Sequence, residues 1–508
     1  MLRRETFTLK KGLAMSKRIL AFDFGASSGR AMLGVLENGR LSVTEIHRFS
    51  NDPVMLSGVM YWDYLRLWHE IKCGIRLALA KGPIDAIGID TWGVDFGLLD
   101  ERGYLIANPV HYRDERTVSI PEELEEILSY HELYQKTGLQ KLRFNSVYQL
   151  YYLAKHRPEV LSRAKTLLFM PDLMAYSLTG VCRTEETIAS TSALFDPATK
   201  ALLPELLDLI GVPASLFAET IAPGEVYGML SPALCEELSC DPIPVIAVCT
   251  HDTASAVLAA PAKGDFAYVS CGTWSLFGTE IPSPCITPES ERLQYTNEGG
   301  HTKTTRFLRN IMGLWLIQES RRQWIREGDD VSYADLEREA LLAEPFVSFI
   351  DCDAPEFETA GDLPGRIRAF CRATGQKVPE ARGEVMRTIY ESLAMKYREN
   401  MQKLSSLTGV RYETLHMVGG GIKDTLLCRM AASAIGIPVV AGPAEATVIG
   451  NIAMQLISLG EVKDVAEARE IIADSVDLLN YAPTDTALWE AAESRYKAVL
   501  GKSAMKKD

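Results

Sequence analysis

The feature that most constrains this chain is a strand-turn-strand segment that occurs near its start and again near its middle. The stretch "RILAFDFGASSGRAMLGVLENGRL" (residues 18–41) has an apolar strand, a turn of small polar residues and a second strand, which is the pattern of a β-hairpin. The stretch "GDFAYVSCGTWSLFGTEI" (residues 264–281) repeats it. Since 508 residues also exceed one ordinary core, we expect two homologous α/β domains, residues 15–255 and 256–508, facing across a central cleft.

The rest of the chain predicts further strands and helices. "PIDAIGIDTWGVDFGLLDERG" (residues 83–103) repeats the strand-turn-strand scheme, with a buried strand that ends at Asp90 and an outgoing strand after "TWG". "FNSVYQLYYLAKHRPEVLSRA" and "EVMRTIYESLAMKYRENMQKLSSLTG" have helical periodicity. "YETLHMVGGGIKDTLLCRMAASAIGIPVVAG" predicts a strand, a Gly-rich turn, a helix and a strand.

A candidate catalytic carboxylate stands in "VIAVCTHDTASAV" (residues 245–257), where an apolar strand runs into His251, Asp252 and Thr253. A carboxylate at the end of a buried strand is costly unless it is paired or used. Transfer of a phosphoryl group to an alcohol needs a positioned carboxylate to accept the hydroxyl proton. Asp252 is therefore the candidate base, with His251 and Thr253 beside the substrate, and a plain helix cap is the alternative.

The two hairpin tips are candidate phosphate sites. In "DFGASSGR", Gly25 and Gly29 permit a tight turn, and the hydroxyls of the serines between them and the cation of Arg30 suit phosphate oxygens. Asp23 can hold Mg²⁺ through water. The second tip, "SCGTWS", places Gly272 and Thr273 in the equivalent position. An ordinary hairpin turn with a solvated Arg30 is the alternative.

Two further segments suggest ligand contacts. In "VGGGIKDTLL", Gly419, Gly420 and Gly421 follow a strand and precede a helix, which lets adenine or ribose lie against bare backbone. In "DTWGVDF", Trp92, Gly93 and Asp95 can form a sugar wall, with the indole stacked on the ring and Asp95 accepting from hydroxyls. Tight packing is the alternative for the glycines, and a core position is the alternative for the aromatic residue.

Composition excludes several classes of partner. A formal net charge of −14 argues against a nucleic acid or an anionic membrane as partner. Ten scattered cysteines without a CxxC motif predict reduced thiols in a cytoplasmic protein, with Cys352 and Cys371 the pair to check. Residues 1–14 lack the pattern of a secretory signal and are interpreted as an extension outside the fold, with Met15 as an alternative start.

From about residue 18 to residue 479 the chain resembles the FGGY carbohydrate kinases of the actin, hexokinase and sugar-kinase superfamily. The motifs that carry the resemblance stand in the expected order: "DFGASSGR", "IGIDTWGVDFGLLD", "YRDERT", "MPDLMAYSLTG", "HDTASAV", "SCGTWSLFG", "TNEGG", "RNIMGLWLIQE", "VGGG" and "AGPAEATVIGNIA". The resemblance implies two ribonuclease-H-like domains and ATP-dependent phosphorylation, with Mg²⁺, of the C1 hydroxyl of L-rhamnulose.

The resemblance also implies roles for residues. Asp252 is the implied base, and Gly93, His251 and Thr253 are implied to hold the sugar. The implied nucleotide site comprises Ala26, Ser27, Ser28, Gly29, Arg30, Thr273, Asn310, Gln318 and Gly420.

Several alternatives stay open at this point. Another ketose, such as L-fuculose or L-xylulose, differs from L-rhamnulose in ways that residues alone do not reveal. An ATP-driven binding protein of the actin or chaperone type is a different class, but it has no need of "HDT" at the cleft. The expected ligands are a small sugar and ATP, and both a monomer and a homodimer are compatible with the sequence.

Overall fold

The computed structural model describes residues 16–504 and has the α/β architecture with two main sheets that the repeated hairpins predict. The predicted extension at residues 1–14 and the alternative start at Met15 lie outside the described residues. We refer to residues 16–259 as the amino-terminal lobe and to residues 260–504 as the carboxyl-terminal lobe.

The amino-terminal lobe is built on a mixed sheet. Its strands are β1 (Lys17–Phe24), β2 (Ser28–Glu37), β3 (Arg40–Ser50), β4 (Val54–Leu56), β5 (Val59–Tyr61), β6 (Ala86–Thr91), β7 (Phe96–Leu99), β8 (Thr166–Phe169), β9 (Thr184–Glu185), β10 (Thr220–Ile221), β11 (Val226–Met229) and β12 (Pro244–Ile246). The six-stranded sheet has the order β11-β12-β6-β1-β2-β3, and the other strands form short pairs.

One predicted pairing in this lobe is wrong. The segment at residues 83–103 supplies β6 and β7, but β7 pairs antiparallel with β8 in a separate two-stranded sheet. The reason is a sharp turn at Val94, whose φ of 68° directs the chain out of the main sheet.

Residues 16–259 also form α-helices, the last of which contributes residues to the cavity described below. They are α1 (Tyr64–Leu79), α2 (Ile120–Glu125), α3 (Tyr130–Thr137), α4 (Ser146–His156), α5 (Pro158–Leu161), α6 (Met170–Thr179), α7 (Glu186–Ala189), α8 (Pro204–Ile210), α9 (Pro232–Leu238) and α10 (Asp252–Leu258). The predicted domain boundary between residues 255 and 256 falls inside α10.

The carboxyl-terminal lobe contains a seven-stranded sheet. Its strands are β13 (Ala267–Cys271), β14 (Trp274–Ile281), β15 (Thr296–Gly299), β16 (Thr305–Met312), β17 (Leu415–Val418), β18 (Val439–Ala441) and β19 (Leu479–Tyr481). The strand order is β15-β16-β14-β13-β17-β18-β19.

Helices of the carboxyl-terminal half cover both sheets. They are α11 (Pro288–Arg292), α12 (Trp315–Arg326), α13 (Tyr333–Leu342), α14 (Leu363–Ala373), α15 (Arg382–Thr408), α16 (Thr425–Ile435), α17 (Ala446–Ser458), α18 (Val465–Ser475) and α19 (Thr486–Ala504). The strand, Gly-rich turn, helix and strand predicted around "VGGG" are confirmed as β17, a 3₁₀ turn at Gly420–Lys423, α16 and β18.

The matched hairpins occupy equivalent places in the two sheets. β1 pairs antiparallel with β2 and parallel with β6, and β13 pairs antiparallel with β14 and parallel with β17. β1 lies inside its sheet, and Leu20 and Phe22 have no exposed surface. A strand buried on both faces is apolar at consecutive positions, which explains the run "ILAF".

Helix α17 belongs to the second half of the sequence but packs on the amino-terminal sheet. A Cβ at Gly34 of β2 would lie 2.7 Å from Ile452 Cδ1, so glycine lets the Ile452 side chain pack directly on the strand. Gln455 Nε2 also donates a hydrogen bond to the carbonyl of Leu20 in β1, at 3.2 Å. The core between the two sheets therefore contains β1, α10 and α17 together.

Two expectations about the chain as a whole can be compared with the structure. All ten cysteines are free, including Cys352 and Cys371. Over residues 16–504, none of the helices combines the length and apolarity required to span a bilayer.

Candidate active site

A cavity of about 380 Å³ lies between the lobes and collects many of the predicted residues. The predicted residues on its wall are Ala26, Trp92, Gly93, His251, Asp252, Thr253, Gly272, Thr273, Asn310, Gly419 and Gly420. Wall residues that the sequence did not predict include Tyr112, Gln140, Asn145, Thr191, Glu298 and Thr447. The remaining predicted residues lie around the cavity and not on its wall: Asp23, Ser27, Ser28, Gly29, Arg30, Asp95 and Gln318.

Asp252 is the first residue of α10, and its carboxylate faces the cavity. The N-cap is His251, whose side chain makes no capping hydrogen bond. Asp252 Oδ1 accepts from the Thr253 hydroxyl at 3.1 Å and lies 3.4 Å from His251 Nε2. Among residues 16–504, Oδ2 has no hydrogen-bond partner, and the side chain is 33% exposed. One oxygen is thus anchored, and the other is available to a substrate hydroxyl.

The Nδ1 side of the His251 ring contacts two charged residues, Arg306 and Glu298, that the sequence analysis did not predict. Its Nδ1 lies 2.9 Å from Arg306 Nη2 and 3.3 Å from Glu298 Oε2. Burial raises the pKa of Glu298, but the neighbouring charge of Arg306 opposes this, and the pKa lies below its usual range. Both residues come from the carboxyl-terminal lobe, and Glu298 lies in the "TNEGG" motif.

Asp95 lies behind the cavity wall and accepts hydrogen bonds from two residues of that wall, Trp92 and Tyr112. Its Oδ2 accepts hydrogen bonds from Trp92 Nε1 at 3.0 Å, from Trp62 Nε1 at 2.7 Å and from the Tyr112 amide at 3.1 Å. Its Oδ1 accepts from Gln149 Nε2 at 3.0 Å. Burial raises the pKa of Asp95 to about 6 even though these donors lower it.

The predicted contact of Asp95 with sugar hydroxyls is therefore not what the structure presents. The side chain has no exposed surface, and protein donors occupy both carboxylate oxygens. Trp92 does lie on the wall, as predicted, and its ring centroid is 3.9 Å from that of Trp62.

At the amino-terminal hairpin, Arg30 pairs with carboxylates of both lobes. Its Nη2 contacts Asp23, at the end of β1, and its Nη1 contacts Glu445, just before α17. The two carboxylates raise the pKa of Arg30. Burial raises the pKa of Asp23, although the Arg30 charge opposes this. Arg30 thus joins the predicted phosphate hairpin to the start of α17.

A second buried carboxylate lies next to Asp23 in the sheet. Asp90 is the register partner of Asp23, and its Oδ2 accepts from Asn451 Nδ2 at 2.6 Å. Oδ1 of Asp90 is buried without a partner. Burial and the charges of Asp23 and Asp252 raise the pKa of Asp90 well above its ordinary value. The unpartnered Oδ1 of Asp90, with the acids Asp23 and Asp252 nearby, is suited to a cation in this region.

The carboxylates of this region could hold Mg²⁺ only in part through direct contacts. Among residues 16–504, no three acidic, His or Cys side chains come together closely enough to enclose a metal ion. Mg²⁺ usually keeps several waters and takes only one or two carboxylates plus substrate phosphates. Asp23 and Asp90 therefore fit a metal held through water and phosphate oxygens.

Glycine is favoured for a different reason at each of the three positions of "VGGG". Gly419 has a φ of 88°, which favours glycine. A Cβ at Gly421 would collide with Cys271 Sγ, whereas a Cβ at Gly420 would meet no atom within 4 Å. Gly420 lies on the cavity wall, so its missing side chain leaves space there, while Gly421 is needed for packing on β13.

Three further predicted residues connect elements around the cavity. Thr273 Oγ1, at the tip of the second hairpin, lies 3.5 Å from Gln318 Oε1 of α12. Asn310 Nδ2 donates to Gln140 Oε1 at 3.1 Å. Gln318 thus supports the tip, and Asn310 meets the opposite lobe across the cleft.

A cavity between two lobes of related architecture, with a carboxylate at one side and open glycine backbone at the other, is the kind of site that binds small molecules. The chain belongs to the FGGY family of carbohydrate kinases. The model of the family's N-terminal domain matches residues 18–259, and the model of its C-terminal domain matches residues 267–459.

Curated relatives match nearly the full chain. A protein named "Rhamnulokinase" from Bacteroides thetaiotaomicron is 46% identical over 485 residues, which cover 95% of this chain and 99% of that protein. A protein of the same name from Enterococcus faecalis is 40% identical over 504 residues, covering 98% of this chain and all of that protein (100%).

Solved structures share the fold at low sequence identity. Ligand-bound xylulose kinase from Lactobacillus acidophilus superposes with a TM-score of 0.81 at 17% identity, covering 96% of this chain and 98% of that one. Plasmodium falciparum glycerol kinase with ADP superposes with a TM-score of 0.78 at 14% identity, with the same coverage of 96% and 98%. The two-domain α/β sugar-kinase fold is therefore confirmed.

Proposed function

We propose that this carbohydrate kinase transfers the γ-phosphoryl group of ATP to the C1 hydroxyl of L-rhamnulose, giving L-rhamnulose 1-phosphate and ADP. The observation that carries the proposal is the 46% identity with a rhamnulokinase over nearly the whole of both chains. The geometry supports it, because the unpartnered Oδ2 of Asp252 faces a cavity large enough for a sugar and phosphates.

In this mechanism Asp252 accepts the proton of the attacking hydroxyl as the new bond to phosphorus forms. Such a base typically contributes about 10²- to 10⁴-fold. His251 and Thr253 orient the sugar from the same helix start, and the backbone of Gly93 and the ring of Trp92 bound its other side. The side chain of Asp95 keeps Trp92 in place.

The nucleotide is proposed to lie between the two hairpin tips. The segment from Ala26 to Arg30 is proposed to bind the phosphates from one lobe, with Ala26 on the cavity wall, and Thr273 to bind them from the other, supported by Gln318. Gly419, Gly420 and Asn310 border the adenosine. Asp23 and Asp90 are the residues that would hold Mg²⁺ through water. When bound, this ion neutralises charge on the phosphate oxygens.

The two lobes and their cavity suggest how water is excluded. Closing the lobes over both substrates favours transfer to the sugar over hydrolysis. We place the enzyme in the cytoplasm, where ATP is supplied and free thiols persist.

A substrate panel tests the proposal. ADP release is measured with L-rhamnulose, L-fuculose, L-xylulose and glycerol, and the phosphorylated carbon is assigned by NMR. L-Rhamnulose is expected to have the highest kcat/KM and to carry phosphate at C1. A higher kcat/KM with L-fuculose or L-xylulose would contradict L-rhamnulose as the substrate but would still agree with a sugar kinase. ATP turnover that no sugar stimulates favours the ATP-driven binding protein.

A further inference from the structure

A fully buried arginine of the carboxyl-terminal lobe reaches the candidate sugar site of the amino-terminal lobe. Arg306, on β16, has no exposed surface. Its Nε donates to the carbonyl of Gly299 at 2.7 Å, and its Nη2 lies 3.0 Å from Glu298 Oε2 and 2.9 Å from His251 Nδ1. The contacts with Gly299 and Glu298 of its own lobe thus orient Nη2 of Arg306 toward His251.

The contact determines which ring nitrogen of His251 carries the proton. A guanidinium nitrogen donates hydrogen bonds and cannot accept them, so Nδ1 at 2.9 Å must be the acceptor. A neutral imidazole with an accepting Nδ1 has its proton on Nε2. Glu298 Oε2 is more distant from Nδ1, at 3.3 Å, and is itself paired with Arg306.

The protonated nitrogen, Nε2, lies on the side of the ring that faces the candidate base Asp252. Nε2 of His251 lies 3.4 Å from Asp252 Oδ1. An N–H group there donates to the carboxylate or to a substrate oxygen beside it. The opposite tautomer would turn a lone pair toward the carboxylate, and two acceptors in contact repel each other.

We propose that Arg306 and Glu298 are positioning residues that hold His251 with its proton on Nε2, so that this N–H orients Asp252 and the attacking hydroxyl. The proposal rests on the proposed sugar kinase function, because Asp252 is the base in that reaction. It also makes the base geometry depend on both lobes, since Arg306 and His251 lie on opposite sides of the cleft.

The first test is spectroscopic and does not depend on the substrate. Protein with ¹⁵N-labelled histidine is measured by NMR, and a His251→Asn variant assigns the His251 signals. A protonated Nε2 and an unprotonated Nδ1 are expected in the wild-type protein. A protonated Nδ1, or an equal mixture of tautomers, would overturn the proposal.

The second test separates positioning from binding. Arg306→Met removes the donor at similar volume, and Glu298→Gln removes the charge that orients it. Loss of an outer partner of a functional histidine costs about 10- to 100-fold in other sites, and we expect a kcat loss of that order with little change in the KM for ATP. A tautomer mixture in the NMR spectrum should accompany the loss.

Two comparisons keep the kinetic test decisive. Arg306→Lys retains a donor and should recover part of kcat together with the Nε2–H signal. Arg398→Met removes a partly buried arginine that pairs with Glu493 at 3.0 Å on the far helices, and it should leave kcat unchanged. If Arg306→Met does not fold, Glu298→Gln and the wild-type spectrum still decide.

The outcomes also separate this inference from the proposed function. A wild-type enzyme that phosphorylates no ketose but shows the Nε2–H signal contradicts the function alone. An active ketose kinase with the proton on Nδ1 contradicts the positioning role alone. Unchanged kcat in both Arg306→Met and Glu298→Gln overturns the positioning role even when the tautomer is as expected.

Discussion

Asn310 Nδ2 donates a hydrogen bond to Gln140 Oε1 at 3.1 Å, and this bond crosses the cleft from β16 to the loop before α4. Both residues lie on the cavity wall, so the bond holds the two lobes together where the nucleotide is proposed to bind. A substrate that enters or leaves the cavity must pass residues of both lobes.

Removal of this bond should weaken ATP binding. A neutral hydrogen bond contributes about 1 kcal/mol, which corresponds to about 5-fold in affinity. Gln140→Ala is therefore expected to raise the KM for ATP by about 5-fold while kcat changes little, as measured by steady-state kinetics. Gln323→Ala, on the exposed face of α12, is the control and should change neither quantity. A normal KM in Gln140→Ala would show that the bridge has no role in binding.

Asp252→Asn tests the base directly. The amide keeps the size of the side chain but cannot accept the proton, so kcat should fall by about 10²- to 10⁴-fold while both substrates still bind. Asp464→Asn is the matched control, because Asp464 caps α18 through the amide of Glu467 at 3.0 Å and Asn is an equally good cap. If the two variants behave alike, Asp252 serves only the helix start.

Asp95 predicts a pH dependence of sugar binding. Its pKa of about 6 lies above that of an ordinary carboxyl, so the folded chain binds this proton more tightly than the unfolded chain. Acidification through pH 6 therefore does not destabilise the fold through Asp95. Protonation does turn one lone pair of the carboxylate into an O–H donor among the surrounding donors, which weakens the hydrogen bonds that hold Trp92 and Tyr112. The KM for the ketose should therefore rise below about pH 6.

Asp95→Asn should reproduce that effect at neutral pH. The new amide faces Gln149, which cannot turn over because its Oε1 accepts from Arg116 Nη2 at 2.7 Å. An unsatisfied buried group costs about 1–3 kcal/mol, so both Tm and ketose affinity should fall while the KM for ATP stays near normal. Calorimetry measures Tm and steady-state kinetics measure the KM values. A KM for the ketose that is constant from pH 5 to pH 8 in the wild type would contradict a role of Asp95 in holding the sugar site.

Arg30 and Glu445 predict opposite effects on ATP. Arg30→Met removes a cation from the phosphate hairpin, and since a charge-assisted hydrogen bond contributes about 1.5–3 kcal/mol, the KM for ATP should rise at least about 10-fold. Glu445→Gln frees the guanidinium from one carboxylate and should lower that KM. Arg48 is the register partner of Arg30 but pairs with exposed Glu45, so Arg48→Met is the control. An unchanged KM in Arg30→Met would favour the alternative of an ordinary turn.

The adjacent glycines 420 and 421 should separate binding from folding. In Gly420→Ala the new methyl group meets no protein atom within 4 Å but enters the cavity, so the KM for ATP should rise while Tm stays constant. In Gly421→Ala the methyl group collides with Cys271, so Tm should fall. A fall of Tm in both variants would mean that the glycines serve packing alone.

Local patterns predicted the elements that lie within one stretch of chain. The two hairpins, the helix that begins at Asp252 and the strand, turn and helix around Gly420 depend on neighbouring residues, and the structure confirms them. The burial of Asp95 could not be read in the same way, because its donors come from Trp62, Tyr112 and Gln149, far along the chain.

The contact of Arg306 with His251 was missed for a similar reason. A buried arginine looks like an ordinary alternating residue in "TKTTRFLRN", and only the meeting of two lobes reveals its partner. The pairing of β7 also depends on distant residues, because its partner β8 lies about 70 residues further along the chain.

The position of α17 has a consequence for biosynthesis. Residues 16–259 leave the ribosome well before residues 446–458, yet Ile19 and Ala21 of β1 share one core with Ile452 of α17. Until that helix emerges, the nascent chain exposes an apolar sheet face to solvent, and such surfaces promote aggregation or chaperone binding. The first half therefore completes its fold only near the end of translation, and a chain terminated before Glu445 should accumulate as insoluble protein.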